Sequence, residues 1–579
     1  MKYIDIIKRN RALSVQMKGS SYRIGVIANV TVAHIKDILE LELREEGINA
    51  EVTIGDYDSI AQDSIKFAKF DAVIIFWEAV NFLNGIHNNA ENLTPVEYDA
   101  LAVRLESEIA FVLQNLKTTP LVLINKFSAY AFDINSLKVS VLSDLCSRLN
   151  SAIQAEKFEN HIVVNTDQIL VQIGRSLSID DRQFQYTKSL YRFDFFKAYS
   201  IKIKPAFLSL LGRAKKILVL DCDNTLWGGV VGEDGLEGIL MSDSDPKSIA
   251  FSEVQALIKG FHKEGVLLAL CTKNNSADVE DVFRHHQDMV LKDDDLVAKK
   301  INWNNKVSNL ENLSRELNIG LDSFIFIDDS SFEIELVKQA LPEVVCLQVP
   351  KNLSEYPGMI REIKPLFFNL SKTEEDSKKT LLYQQENNRK IKSREFTTMA
   401  DYLVSLELIL AIRTNCEIPI ARVAQLTQKT NQFNLTTKRY TESDIRAMVE
   451  NRNFDVYSFE LKDRFGDYGT TGVAIIRLDD KDKFYTATID TFLISCRVIG
   501  RDVEYQFFSE IIKNLKASKV SKLFANYSRT LKNDQVSNFY DALTFGLTST
   551  DEGETSYCLN LHSFVAKDIP HISIIGRYS

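Results

Sequence analysis

The sequence predicts an α/β protein with three domains. A length of 579 residues is more than one domain usually holds. Two successive regions alternate strand and helix patterns, and the last region has longer β-rich segments. We therefore expect an α/β domain over 1–175, a connector over 176–212, a second α/β domain over 213–365, a helical linker over 366–396 and an α+β domain over 397–579.

The first region opens with "YRIGVIANV", a β-rich run, and continues with "AHIKDILELELREEG", whose apolar residues recur at helical spacing. Further strand-like runs follow in "AEVTIGDY", "DAVIIFW", "PLVLINKF" and "HIVVNTDQIL". A βαβ order favours a parallel sheet with helices on both faces. The aromatic helical segment "DDRQFQYTKSLYRFDFFKAYS" forms the predicted connector.

The second region repeats this order, with predicted strands in "KKILVLD", "VLLALCT", "MVLK", "SFIFIDD" and "VVCLQV". A stretch rich in charged and amide residues, 371–396, predicts a solvated helix between domains. The last region combines long β-rich segments, such as "FDVYSFELKD" and "GTTGVAIIRL", with the helical segment "DVEYQFFSEIIKNLKAS". This combination predicts an α+β domain.

Composition excludes several classes of function. Lys and Arg total 69 against 79 for Asp and Glu, a net charge of −10, which disfavours a nucleic-acid surface. The seven cysteines form no Cys-x-x-Cys pair, so we expect neither a disulfide framework nor a zinc site. Signal-peptide and membrane-spanning patterns are absent from the sequence. We expect a cytoplasmic protein without a membrane partner, and the sequence indicates no oligomeric state.

The apolar run "ILVL" leads directly into Asp221 and Asp223. Ligands of open parallel sheets bind beyond the carboxyl ends of the strands, and two carboxylates placed there suit a hard cation such as Mg²⁺. A turn or a helix N-cap is the simpler explanation for one such motif. A calcium loop does not fit, because its required Gly and Glu positions hold Leu226 and Gly232.

Further polar residues lie at predicted strand ends. Thr272 follows "LALC", and Asp328 and Asp329 follow "SFIFI". A lysine stands between these motifs, with Lys306 preferred and Lys299 and Lys300 as alternatives. The order of acid pair, hydroxyl, lysine and second acid pair resembles the haloacid dehalogenase (HAD) superfamily of phosphatases and phosphotransferases.

This resemblance implies an aspartyl-phosphate mechanism. Asp221 would be the nucleophile, and Asp223 the general acid and base. Thr272 and Lys306 would hold the phosphoryl oxygens. The implied Mg²⁺ ligands are Asp221, Asp223 through its backbone carbonyl, Asp328 and Asp329.

The glycine-rich segment "LWGGVVGEDGLEGI" predicts a flap over this site. The intervals between the motifs are too short for a separate cap domain, which leaves a capless and open site. Thr225, Trp227 and Asn274 are the candidate substrate-binding residues, although Trp227 could instead pack beneath the flap.

Longer motifs, including "LDCDNTLWGGVVGEDGLEGI", "INWNNKVSNL" and "KDRFGDYGTTGVAIIRL", are similar to the FkbH-like family. That resemblance implies transfer of a glyceryl unit from 1,3-bisphosphoglycerate to an acyl carrier protein. The alternative is a plain phosphatase in capsular or surface polysaccharide biosynthesis, with flanking domains that dock the substrate. A scaffold whose catalytic site has decayed is the non-enzymatic alternative.

The C-terminal region resembles GNAT acyltransferases, which bind the pyrophosphate of coenzyme A or of a phosphopantetheine arm at a helix start. The usual pattern at this helix start is Arg-x-x-Gly-x-Gly/Ala. In this sequence, Asp502 occupies the last position, where a small residue is expected. A transfer step would use a thiol, for which Cys271 and Cys496 are candidates. The implied cofactor-binding residues are Arg497, Gly500, Arg501, Asn533 and Tyr540.

The N-terminal region resembles SGNH hydrolases in its βαβ order. The sequence "IANVT" replaces the expected Gly-Asp-Ser, so this domain lacks an evident nucleophile. We expect a docking module without hydrolase activity.

Overall fold

The computed structural model describes residues 2–17, 19–82, 86–132, 137–156, 158, 160–242, 248–370, 389, 396, 398–481, 484–530, 532–551 and 553–578. The chain divides into two compact units. The first comprises Met1–Phe207 and Tyr440–Asp444, and the second comprises Leu208–Arg439 and Ile445–Ser579. The predicted linker helix over 366–396 lies largely outside the described residues. No helix in the described part of the chain is long and apolar enough to cross a bilayer.

The first unit is built on a parallel sheet of five strands in the order β2-β1-β3-β4-β5. The strands are β1 (Tyr22–Ala28), β2 (Ala50–Ile54), β3 (Ala72–Phe76), β4 (Val122–Asn125) and β5 (His161–Val164). The helices of this part of the chain are α1 (Tyr3–Ser14), α2 (Ile35–Glu45), α3 (Ile60–Phe67), α4 (Ile86–Asn89), α5 (Pro95–Asn115), α6 (Val141–Ala155), α7 (Asp167–Ile173), α8 (Arg175–Ser178), α9 (Asp181–Thr187) and α10 (Phe193–Leu210).

The segment predicted as a connector, 176–212, is helical, but most of it belongs to the first unit. The Tyr199 hydroxyl donates a hydrogen bond to Asn125 Oδ1 at 2.8 Å. Its ring lies 4.7 Å from that of Phe76, between ring centroids. These buried contacts tie α10 to the carboxyl ends of β3 and β4.

A second parallel sheet carries the residues of the acidic motifs, and its five strands are ordered β10-β9-β6-β7-β8. The strands are β6 (Ile217–Leu220), β7 (Leu267–Thr272), β8 (Leu296–Ile301), β9 (Phe324–Asp328) and β10 (Val345–Gln348). The helices are α11 (Val231–Gly238), α12 (Ile249–Lys263), α13 (Ser276–His285), α14 (Lys306–Leu317), α15 (Ser331–Ala340) and α16 (Tyr356–Ile363). The strand order reverses beside β6, which places a crevice at its carboxyl end.

The predicted strand in "MVLK" is wrong, and β8 begins farther along the chain at Leu296. Met289 and Leu291 are buried, which explains the apolar pattern. The Gln255 side chain of α12 accepts hydrogen bonds from the backbone N–H groups of Val290 and Leu291. A side chain therefore satisfies backbone groups that a neighbouring strand would otherwise bond.

The C-terminal region forms a mixed sheet of nine strands. Its order is β17-β18-β16-β15-β14-β13-β11-β19, with β12 also paired to β15. The strands are β11 (Leu408–Thr414), β12 (Phe433–Asn434), β13 (Phe454–Asp463), β14 (Gly466–Lys481), β15 (Phe484–Ile494), β16 (Lys522–Ser528), β17 (Gly546–Asp551), β18 (Glu554–Asn560) and β19 (Ile572–Tyr578). The helices are α17 (Met399–Ser405), α18 (Ile420–Lys429), α19 (Glu442–Glu450), α20 (Val503–Ala517) and α21 (Phe539–Ala542). The two parallel sheets and this mixed sheet confirm the predicted fold class.

The parallel neighbours β15 and β16 pair from Thr486 to Ile489 and then separate. The segment 433–435 fills the gap between them. Its strand β12 pairs with the end of β15, and Leu435 continues the pattern by donating its N–H to Phe492 O. Ser528 of β16 donates its own N–H to Leu435 O at 2.8 Å.

Candidate active site

Three adjacent strands position the acidic motifs at one sheet edge. Asp221 directly follows β6, Thr272 ends β7 and Asp328 ends β9. Because β7 and β9 flank β6 in a parallel sheet, these side chains meet at its carboxyl end. The structure therefore brings together the strand-end residues that the sequence singled out.

Lys306, the first residue of α14, joins two of the acids. Its Nζ lies 2.7 Å from Asp221 Oδ1 and 2.5 Å from Asp328 Oδ2, and the three side chains are almost completely buried. The alternatives from the sequence lie elsewhere: Lys299 pairs with Asp293, and Lys300 with Glu316. The geometry thus favours Lys306 for the lysine role.

The carboxylates of Asp221, Asp328 and Asp329 form a cluster suited to a divalent cation. Each offers an oxygen, and these atoms all lie within 4.8 Å of one another. One lysine does not balance three carboxylates, and hard oxygen donors are the ligands that Mg²⁺ prefers. The donor set therefore fits Mg²⁺. The Asp223 side chain lies outside this cluster, so only its backbone carbonyl is compatible with the predicted role as a metal ligand.

Burial and mutual repulsion set the protonation of these groups. Burial is the main cause that raises the pKa of Asp221 to about 7; Lys306 opposes this shift, whereas the negative charge of nearby Asp328 contributes to it. Burial is also the main cause of the raised pKa of Asp329. Burial disfavours the charged form of Lys306, but the two carboxylates outweigh it and raise its pKa. The lysine therefore stays charged.

Asp223 is held in place by hydrogen bonds from three sides. Its Oδ1 accepts from Trp227 Nε1 at 2.9 Å and from the Val231 N–H at 3.1 Å. Its Oδ2 accepts from Asn274 Nδ2 at 2.9 Å. Asn274 also donates to Thr272 Oγ1 at 3.2 Å, so the amide links the second motif to the first.

Two of the candidate substrate-binding residues are fully buried. Trp227 belongs to the buried apolar core of this region, together with Val231 and Ile239 of the glycine-rich segment, and its indole N–H donates to Asp223. Thr225 is also buried, and its hydroxyl has no hydrogen-bond partner among the described residues. The predicted flap contains the helix α11 and is closed by hydrogen bonds between Gly228 and Leu240.

One polar pair beside the site escaped the sequence analysis. Lys273 Nζ lies 2.6 Å from Glu333 Oε1, which joins the loop after β7 to the first turn of α15. Glu333 is buried, and its other carboxylate oxygen has no hydrogen-bond partner within the described chain. The signal was the position of Glu333 shortly after Asp328 and Asp329 in "DDSSFE".

The predicted cofactor-binding residues of the C-terminal region have different surroundings. Arg497 lines a cavity, and Gly500 adopts a left-handed backbone with a φ of 82°. Arg501 is buried, with its guanidinium over the Tyr468 ring. The two remaining residues are Asn533 and Tyr540.

Asn533 is buried and donates to the backbone oxygens of Asn434 and Ser528 at 2.9 Å each. It therefore fastens the segment that fills the gap between β15 and β16. Tyr540 is buried among aromatic rings, 4.9 Å from Phe545 between centroids. Its hydroxyl has no hydrogen-bond partner in the described part of the chain.

The two candidate thiols have different surroundings. Cys271 is fully buried on β7, and burial raises its pKa to about 12. A thiolate is therefore disfavoured there. Cys496 is half-buried and lines the same cavity as Arg497.

The fold resembles a solved phosphatase-containing structure. No protein-family model matches the chain, and no curated protein matches it. The N-terminal part of the protein BF1531 from Bacteroides fragilis, which contains a phosphatase domain complexed with Mg, aligns with 64% of this chain and 100% of its own at 23% identity and a TM-score of 0.57. The aligned part of this chain shares the fold of that structure.

Smaller similarities involve acetyltransferases. An acetyltransferase of the GNAT family from Desulfovibrio desulfuricans aligns with 26% of this chain and 99% of its own, at 13% identity and a TM-score of 0.22. The PaiA N-acetyltransferase of Thermoplasma acidophilum in complex with coenzyme A aligns with 21% of this chain and 72% of its own, at 13% identity and a TM-score of 0.18.

Proposed function

We propose that this protein is a Mg²⁺-dependent phosphatase that forms an acyl phosphate on the Asp221 carboxylate. The observation that carries the proposal is the cluster of Asp221, Asp328 and Asp329, with Lys306 joined to two of these acids at the carboxyl end of a parallel sheet. The substrate would be a phosphorylated small molecule. Bound Mg²⁺, held by the three carboxylates, would offset negative charge on the phosphoryl oxygens.

In the first step, an Asp221 oxygen attacks phosphorus and the bond to the leaving oxygen breaks. Asp223 donates a proton to that oxygen. In the second step, Asp223 takes a proton from a water molecule that attacks the phosphorus, which releases phosphate and restores Asp221. Thr272 and Lys306 hold the phosphoryl oxygens in both steps. The hydrogen bonds from Trp227 and Asn274 fix the direction of the Asp223 carboxyl group.

The test is phosphate release from p-nitrophenyl phosphate with and without Mg²⁺. We expect Asp221→Asn to lower kcat about 10³-fold or more, because an amide cannot act as the nucleophile. Asp288→Asn, at an exposed position of the same unit, is the matched control. Full turnover by Asp221→Asn would disprove the assigned nucleophile.

A second candidate function is transfer of an acyl unit to a carrier thiol, and the cavity position of Cys496 favours it. The donor would be a phosphorylated three-carbon acid such as 1,3-bisphosphoglycerate, and the acceptor an acyl carrier protein. The competing proposal is a plain phosphatase in capsular or surface polysaccharide biosynthesis. This second proposal includes two predictions from the sequence: the domain boundaries and the cofactor-binding role of the C-terminal residues.

Intact-mass spectrometry separates the two proposals. A phosphopantetheinylated carrier protein is incubated with the enzyme, Mg²⁺ and 1,3-bisphosphoglycerate, beside the Asp221→Asn variant. A glyceryl mass gain on the carrier with the wild-type enzyme alone supports transfer. Phosphate release without a mass gain supports the plain phosphatase.

A further inference from the structure

The second unit contains a cavity of about 390 Å³ at the amino ends of the parallel strands. The acidic cluster lies at the opposite, carboxyl ends of these strands. Lys216 precedes β6, Leu267 begins β7 and Ser323 precedes β9, and all three line it. The C-terminal region supplies the other wall, which includes Cys496 and Arg497. This cavity is therefore separate from the site of Asp221.

Positive charge dominates the lining. Two acidic side chains are present, Glu264 and Asp322. Asp322 pairs with Lys532 within the lining, and Glu264 pairs at 2.6 Å with Lys364 from outside it. The basic side chains of the lining are Lys215, Lys216, Arg422, Lys429, Arg497 and Lys532. In a partly enclosed cavity, this excess of cations attracts an anion.

The same cavity has an apolar wall. Val266, Leu267, Ile319 and Phe367 line it on the side of the parallel sheet. Its volume lies at the lower end of the range for small-molecule sites, about 300–1,000 Å³. The lining thus combines cations with apolar surface, a pairing that suits a ligand with a charged end and a less polar body.

We propose that this cavity binds an organic phosphate ester, with the phosphate among the basic side chains and the organic body against the apolar wall. Arginine offers a planar pair of donors that matches phosphate oxygens, and lysine adds point charge. Two sources offer a phosphate ester with an organic body: a phosphorylated metabolite, which is a monoester, and the phosphopantetheine arm of a carrier, which is joined to its protein through a phosphodiester. The proposal does not depend on phosphatase chemistry at Asp221, because that residue lies at the carboxyl ends of the strands, away from this cavity.

The test uses Cys496 as a reporter within the full-length protein. N-ethylmaleimide labelling of each cysteine is followed by peptide mass spectrometry. The probes are inorganic phosphate, glucose 6-phosphate and S-methyl 4′-phosphopantetheine, whose blocked sulfur does not consume the reagent. We expect at least one monoester to slow labelling of Cys496 at least fivefold. Labelling of Cys558, which does not line the cavity, should stay unchanged. Calorimetric titration with the same probes gives a second readout that does not require the thiol to react.

Charge-removing variants locate the binding. Arg497→Gln and Lys532→Gln should each weaken binding of the monoester at least fivefold, whereas the exposed Lys351→Gln should not. Asp221→Asn should bind the monoester as the wild type does, so a failure of the proposed phosphatase would leave this result intact.

Each outcome bears on the proposal. Protection by S-methyl 4′-phosphopantetheine alone supports a carrier arm as the ligand, and protection by glucose 6-phosphate supports a phosphorylated metabolite. Equal protection by inorganic phosphate would overturn the role given to the apolar wall. Absence of both protection and calorimetric binding with every probe, or binding that the two variants leave unchanged, would overturn the site.

Discussion

At the scale of single residues, Lys306 balances charge within the acidic cluster. Replacement by methionine would leave Asp221 and Asp328 buried with no cation between them. Breaking a buried ion pair by removal of one partner costs about 3–5 kcal/mol. We expect Lys306→Met to lower the Tm in the absence of Mg²⁺ and to reduce phosphatase kcat at least about 100-fold.

Lys300→Met is the matched control for that prediction. Lys300 is an alternative candidate for the lysine role by sequence, but it pairs with Glu316 and not with the acidic cluster. We expect an effect of less than about 1 kcal/mol on stability and little on turnover. Thermal unfolding and phosphate release measure both variants. A larger loss of turnover in Lys300→Met than in Lys306→Met would reverse the assignment.

The burial of Glu78 leads us to expect that the stability of the first unit depends on pH. Burial raises its pKa from 4.5 to about 7, although hydrogen bonds from Asn125 and Tyr191 oppose the shift. Between pH 4.5 and about pH 7, Glu78 therefore keeps its proton in the folded state and loses it in the unfolded state. The free energy of unfolding falls as pH rises through this window, by about 3 kcal/mol in total.

The variant Glu78→Gln removes this titration. Its Tm should fall less than that of the wild type between pH 4 and pH 8, as measured by scanning calorimetry. The exposed Glu108→Gln serves as the control and should follow the wild type. An unchanged pH dependence in Glu78→Gln would rule out Glu78 as the cause.

At the scale of elements, a glycine on one strand of the C-terminal sheet leaves room for an aromatic ring on the neighbouring strand. Gly472 of β14 pairs with Phe459 of β13, and a Cβ atom at Gly472 would lie 1.9 Å from the Phe459 ring. We expect Gly472→Ala to destabilise the protein by about 1–3 kcal/mol, because the ring has to leave its packed position. Gly260→Ala in α12 meets open space and should be neutral or slightly stabilising. Urea unfolding compares the two, and equal stabilities would contradict the predicted clash.

Local sequence patterns predicted the elements that build the site. Short apolar runs that end in Asp or Thr mark β6, β7 and β9, because a buried parallel strand needs apolar residues on both faces. Their order along the chain was enough to expect Asp221, Thr272 and Asp328 at one edge. The assignment of catalytic and metal-binding roles to these residues is still a prediction.

Long-range contacts could not be predicted in the same way. "MVLK" has the apolar pattern of a strand, but Gln255, distant in sequence, bonds its backbone. The segment 433–435 enters the gap between β15 and β16 through pairings that no local pattern reveals. The contact between the Trp227 indole and Asp223 is local, but it depends on a tight turn, with Asn224 at a φ of 52°, that the residue pattern did not reveal.

At the scale of the whole molecule, we expect the acidic cluster to make stability depend on Mg²⁺. Because Mg²⁺ would bind the folded cluster and not the unfolded chain, we expect it to raise the Tm and EDTA to reverse the change. Asp328→Asn should lose this response, while Asp288→Asn keeps it. Calorimetry with and without Mg²⁺ measures the shift, and an equal response in Asp328→Asn would argue against a metal at this cluster.

The positions of the two sites at opposite ends of β6 constrain any chemical handover between them. At about 3.3 Å per residue, the path along the strand from Lys216 to Asp221 is about 17 Å. The side chains of β6 are fully buried along that path, so it offers no tunnel. A chemical handover between the two sites would therefore need either a carrier arm long enough to span that distance or a compound that leaves one site and binds again at the other.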